Sequence, residues 1–166
     1  MIVCTINILT TFNGFNRKVF MAIEIERKFI VKPQNLPPLR RGRFIRQGYL
    51  LVARERTVRV RITDEKSGLT IKGESRGLAR SEFEYEIPRA DAEQLWRLCG
   101  TSVLEKTRYR LETSGHVWEI DEFHGALRGL MLAEVELRSE SEEFVRHDWL
   151  GREVSLDPAY TNAVLA

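Results

Sequence analysis

The sequence predicts an α+β protein, mainly antiparallel β: an eight-stranded closed barrel with flanking helices and a short C-terminal helix. Three observations predict it. From residue 22 onward the chain is a series of short runs that alternate apolar and charged residues, and period two is the strand period. Turn signals rich in Pro and Gly separate these runs, and few stretches carry helical spacing. Third, the charges are sorted by sign along each run, which a sheet wetted by solvent does not require.

The first run, residues 22–32, contains EIERKFIV, with Glu24, Glu26 and Lys28 on one face and Ile23, Ile25 and Phe29 on the other. The loop PQNLPPLRRG stops it. A second run spans about 44–53 and carries Gln47 and Tyr49. The third, TVRVRIT, sets Arg59 and Arg61 against Val58, Val60 and Ile62. After a turn at 64–68, LTIKGE points Lys72 away from Ile71. SRGLA reads as a loop, and SEFEYEIP then sets Glu82, Glu84 and Glu86 against Phe83, Tyr85 and Ile87. Residues 91–99 read as a helix, with Asp91 near its start and Gly100 just past its end. Strands resume with VLEKTRYRLE (Lys106, Arg108, Arg110), HVWEIDEF (Glu119, Asp121) and LAEVELRS (Glu134, Glu136). Residues 140–150 and 158–165 are read as helical, which completes the eight strands and their helices.

Composition bounds the function. With 166 residues the chain is long enough for one domain with a real core and short for two. Lys and Arg number 26 against 24 acids, a net charge of +2; nucleic-acid binders usually carry a clear basic excess, so none is expected as partner. Cys4 and Cys99 form no disulfide framework or zinc spacing, and the cytoplasm is the expected compartment. The apolar run near the N-terminus is too short to span a bilayer, and Arg17 and Lys18 follow it where a secretory signal would have bases in front. Residues 1–20 are therefore read as an N-terminal extension, an over-extended start or an extra edge strand, and 21–166 as a single domain.

The sign-sorted pairs carry the chemistry. Residues two apart on a strand lie ~6.6 Å apart on one face, so like charges there repel. Glu24/Glu26, Glu82/Glu84/Glu86, Glu119/Asp121 and Glu134/Glu136 are acid-only, whereas Arg59/Arg61 and Lys106/Arg108/Arg110 are base-only. Each of these strands taken singly fits a solvated face; together they call for counter-ligands. Paired carboxylates suit Mg²⁺ or Mn²⁺ rather than zinc, and paired guanidinium and ammonium groups suit phosphate oxygens. A barrel of about eight strands has room for one small ligand. Its apolar residues would then face outward, under helices and a second subunit.

EIERK matches the ExExK signature of the CYTH domains, the triphosphate tunnel metalloenzymes. The resemblance continues in order through RVRI, LTIKGE, EYEI, EKTRYRL, WEIDEF and AEVEL, and it is closest to the short bacterial members. It implies a tunnel barrel, often dimeric, that hydrolyses inorganic triphosphate with Mg²⁺ or Mn²⁺, and its terminal segment DPAYTNAVLA resembles a helix that plugs one tunnel end. By resemblance, Glu24, Glu26, Glu134 and Glu136 are metal ligands with Asp121 a further one. Arg59, Arg61, Lys72, Lys106 and Arg108 bind phosphate. Tyr49 and Lys28 pair for proton transfer, and Glu84 and Glu86 are supporting acids. Alternatives of the same resemblance are a class IV-type adenylate cyclase and an organic triphosphatase such as one for thiamine triphosphate. A non-catalytic polyphosphate or nucleotide sensor is the alternative from another class.

Overall fold

The computed structural model describes residues 22–166, so the expectation for residues 1–20 falls outside the described residues. Eight strands alternate outward and inward side chains, apolar outside and polar inside over most of the barrel's length. They are β1 (Ala22–Val31), β2 (Arg43–Val52), β3 (Arg56–Thr63), β4 (Ser67–Gly73), β5 (Ala79–Glu86), β6 (Val103–Thr113), β7 (His116–Phe123) and β8 (Met131–Glu136). All pair antiparallel in the order β5-β4-β3-β2-β6-β7-β8-β1, and a β1–β5 pairing closes the ring. Closure removes the open sheet edges that would otherwise recruit other chains. A ninth strand, β9 (Leu150–Glu153), was not expected from sequence; it pairs with the stretch of β1 beyond that used by β5, at Phe29 and Val31.

The oily side chains lie largely outside the ring. Phe29, Val31, Trp118, Ile120, Ala133, Val135 and Leu137 form the largest cluster on the outer faces of β1, β7 and β8. Trp118 centres it, edge-on to Phe29, Phe144 and Trp149 at 5.9, 5.5 and 5.1 Å, geometry that suits the ring quadrupoles. Phe144 and Trp149 come from the segment expected to be helical at 140–150, which is not helical. The reason is geometric. Residues five apart on a helix diverge by about 140°, so a helix could not put both rings on one surface, and an extended strap does.

A second cluster lies under α1 (Arg89–Leu98), where Ala92, Leu95, Trp96 and the following Cys99 cover Val60 and Ile62. This helix starts two residues earlier than its sequence signals suggest, immediately after Pro88. The third cluster is different: Leu104, Phe123 and Leu132, with Ile30, occupy the inward register positions at one end of the barrel. The C-terminal segment caps them, with a 3-10 turn at Pro158–Tyr160 and α2 (Asn162–Leu165), through Tyr160, Leu165 and Ala166. The expected plug is therefore present, shortened to one turn of each helix type.

Candidate active site

Inside the ring the charged rows face one another. β1 carries Glu24, Glu26 and Lys28 inward because Ile25, Arg27 and Phe29 take the outer positions. Its ladder with β8 sets Glu26 opposite Glu136 and Lys28 opposite Glu134. Lys28 Nζ reaches Glu134 Oε1 at 2.9 Å and Glu26 at 3.5 Å, and it donates to the plug at Tyr160 O, 3.4 Å away. Next to it, Arg108 forks onto Asp121 through Nε and Nη2, each 2.6 Å, and reaches Glu134 at 2.7 Å and Glu119. Lys106 also binds Asp121, and both side chains are fully buried. Burial and the adjacent Arg108 charge bring the Lys106 ammonium down to about 8.

The opposite wall is built from β2 to β5. A β-bulge between Tyr49 and Leu51 shifts the register of β2, a common device for re-aiming side chains near sites. Tyr49 pairs with Arg59 across the ladder, and its hydroxyl accepts from Gln47 Nε2 at 2.9 Å. Arg59 donates to Thr70 at 3.0 Å and to Glu84 at 3.3 Å, with Glu82 3.6 Å away. Its Nε, although buried, has no hydrogen-bond partner among the described residues. Arg61 forks onto Gln47 Oε1 at 3.1 and 3.3 Å. No carboxylate among the described residues lies within ion-pair distance of it, while burial and the charges of Arg59 and Arg108 lower its pKa to about 10. Lys72 Nζ bonds both oxygens of Glu24 at 3.0 Å and also Glu82 at 3.1 Å.

The structure brings Glu24, Glu26, Lys28, Arg59, Arg61, Lys72, Lys106, Arg108, Asp121, Glu134 and Tyr49 to one lumen, with Glu136 on the same face of β8 but exposed at the lumen's mouth. Glu84 sits at its rim, half exposed, and Glu86 is exposed with no base beside it among the described residues. Tyr49 and Lys28 share no hydrogen bond, and burial raises the Tyr49 hydroxyl despite Arg59, Arg61 and Lys28 nearby. Sequence reasoning missed three lumen residues. Gln47 is fully buried, Glu82 was given no role among the site residues but binds Lys72, and Arg80 fell between the loop SRGLA and the run SEFEYEIP. Gly77 turns at φ +65° and an Arg76–Ala79 bridge tightens the hairpin, so β5 starts at Ala79 and Arg80 falls in register with Glu82 and Glu84. The alternation of Glu82, Glu84 and Glu86, counted two residues further back, was the signal for it.

The acids are unevenly compensated. Burial opposes ionisation of Glu24, but Lys72 and Arg80 outweigh it and hold its pKa well below the usual range. Glu26 is raised by burial and by Glu134, and Glu136 is raised to about 7 by burial with Glu119, Glu24 and Glu26. Glu136 has no basic partner among the described residues. This donor set, hard oxygens carrying excess negative charge across the β1–β8 ladder, fits a divalent cation. Among the described residues no three potential metal-binding side chains already converge on one point, because Glu24 is turned onto Lys72 and Arg80, and Glu134 onto Lys28 and Arg108.

A family model described as the CYTH domain matches residues 22–160. An inorganic triphosphatase of Acetivibrio thermocellus is 45% identical over 146 residues, covering 87% of this chain and 94% of that protein. One from Nitrosomonas europaea is 38% identical over 152 residues, covering 86% and 96%. The crystal structure of the inorganic triphosphatase NE1496 superposes with a TM-score of 0.64 at 36% identity, over 86% of this chain and 93% of that one.

Proposed function

The chain belongs to the CYTH domain family, and from that premise we propose that it is a divalent-metal-dependent triphosphatase, hydrolysing inorganic tripolyphosphate to pyrophosphate and phosphate. One observation carries the reading beyond resemblance. Among the described residues, Arg61 alone of the lumen bases has no carboxylate partner, and the neighbouring Arg59 has a buried Nε–H with no acceptor. Arg61 is partly buried, and a guanidinium withdrawn from part of its water without an anion is left under-compensated. Phosphate oxygens would supply what both groups lack, in the bidentate geometry that guanidinium favours.

Arg59, Arg61, Lys72, Lys106 and Arg108 hold the phosphate oxygens in this proposal, and Gln47 keeps Arg61 in place. Asp121, gripped by Lys106 and Arg108, orients those two bases and stands ready as a further metal ligand. Glu24, Glu26 and Glu136 would hold Mg²⁺ or Mn²⁺, with Glu134 beside them. When bound, that ion neutralises phosphate charge and acidifies a coordinated water. Burial works against the charge of Lys28, but Glu134 and Glu26 outweigh it and raise its pKa, so it stays a cation. Lys28 and Tyr49 serve as hydrogen-bond donors to the reacting phosphates. Proton removal by Tyr49 needs its pKa to fall, the reverse of what burial does in the metal-free protein.

Phosphate release from tripolyphosphate, ATP and thiamine triphosphate, each with Mg²⁺, Mn²⁺ or chelator, tests the proposal. It requires metal-dependent release, greatest for tripolyphosphate and lost in folded Glu24→Ala and Arg59→Ala proteins. Full turnover in chelator, or tight binding without release under any metal, would overturn it.

A further inference from the structure

Arg80 stands directly across the β1–β5 ladder from Glu24, and its Nε donates to Glu24 Oε2 at 2.6 Å. That carboxylate already has Lys72 on both oxygens, so one negative charge carries two cations. Two residues along the same face the balance reverses. Among the described residues Glu26 has only Lys28, at 3.5 Å, and Glu136, opposite Glu26, has no base. Basic charge is thus concentrated on Glu24, and acidic charge is left over immediately beside it. A dication shared by Glu24, Glu26 and Glu136 would make the second base on Glu24 redundant and electrostatically repelled.

We propose that Arg80 is a phosphate-binding residue held in reserve on Glu24 and released to the substrate when Glu24 takes a divalent cation. The proposal rests on the triphosphatase reading and adds a sixth base to its phosphate cradle. Lys72 is the alternative group to leave, but it has Glu82 as a second carboxylate at 3.1 Å, whereas among the described residues Glu24 is the one carboxylate in ion-pair contact with Arg80. Arg80 is also directed into the lumen: its charge acts on Lys28 and Tyr49 as well as on Glu24 and Glu26. A fork freed there presents parallel N–H groups to phosphate oxygens, which a lysine ammonium cannot.

The test is a linkage cycle on the intact chain that needs no turnover. Calorimetric titration with a non-hydrolysable imido analogue of tripolyphosphate is run with and without Mg²⁺ for wild type, Arg80→Ala and Arg80→Lys, each checked for folding by circular dichroism. With Mg²⁺, Arg80→Ala should bind the analogue about 10- to 100-fold more weakly, the range for a charged hydrogen-bonding group, and Arg80→Lys should recover part of that loss. Without Mg²⁺ the three proteins should differ less than about threefold. Mg²⁺ alone should bind Arg80→Ala at least as tightly as wild type, since a competitor for Glu24 is gone; a purely structural role would weaken it. Equal affinity of wild type and Arg80→Ala under Mg²⁺, or a loss of the same size in chelator, overturns the proposal. Failure of wild type itself to bind the analogue would instead overturn the triphosphatase reading.

Discussion

Among the described residues Arg61 meets Gln47 and no carboxylate, whereas Arg108 holds Asp121, Glu119 and Glu134 together. Their alanine variants should therefore separate binding from stability. Arg61→Ala breaks no ion pair among the described residues and strands only the Gln47 Oε1, so it should cost about 1–3 kcal/mol of urea unfolding free energy while raising KM for tripolyphosphate by about 10-fold or more. Arg108→Ala leaves buried carboxylates uncompensated and should cost about 3–5 kcal/mol in the same unfolding measurement. The acids set a pH dependence. Glu82 and Glu136 are each raised to about 7, Glu82 by burial with Glu24 nearby. In the window between the ordinary carboxylate value and 7 the folded state binds more protons than the unfolded chain, so stability falls as pH rises through it. Glu24, Asp121 and Glu134 are lowered instead, so their contribution is lost only in more acidic solution. Melting temperature without metal should drop by a few degrees from pH 5 to pH 8, and saturating Mg²⁺ should remove the share of Glu136 by occupying it while leaving the share of Glu82. Sign sorting made most of the lumen legible in the sequence, because like charges on one strand face need an external partner. It could not show Gln47, which is neutral, or Arg80, whose sign differs from the acids that follow it.

The strands were readable because each buries one face, so period two survives in the residues. β9 escaped because its four residues, Leu150–Glu153, include a glycine and alternate too briefly to register. The strap before it escaped because its acidic, helix-favouring composition gave way to aromatic packing: Phe144 and Trp149 are positioned by Trp118, which is remote in sequence. Between β2 and α1 the fit leaves no slack. A Cβ at Gly48 would stand 2.7 Å from Cys99 Sγ and 3.4 Å from the Trp96 ring. Gly48→Ala should therefore push α1 outward and cost about 1–3 kcal/mol, read as a lower urea midpoint. Because Tyr49 follows immediately, the same variant should lower kcat more than it lowers metal affinity.

At the scale of the whole molecule, the outer clusters hold the ring and the charges are left for the lumen, the reverse of a barrel with an oily centre. Near-neutral net charge conceals this, since acids and bases cancel in number over the whole chain although many of them are gathered in the lumen. The plug closes one end with Leu104, Phe123 and Leu132 and ties Lys28 to Tyr160. Such an enclosure makes metal and triphosphate cooperative ligands. Each at 100 times its Kd should stabilise the fold by about 2.7 kcal/mol, and the two together should exceed the sum of their separate melting shifts. A crystal structure with Mn²⁺ and an imido analogue of tripolyphosphate addresses the central claim directly. The account predicts an anomalous manganese peak bounded by Glu24, Glu26 and Glu136, with phosphate oxygens on Arg59 and Arg61 inside the ring. Manganese or analogue bound only on the outer surface, with the lumen ion pairs intact, would contradict it.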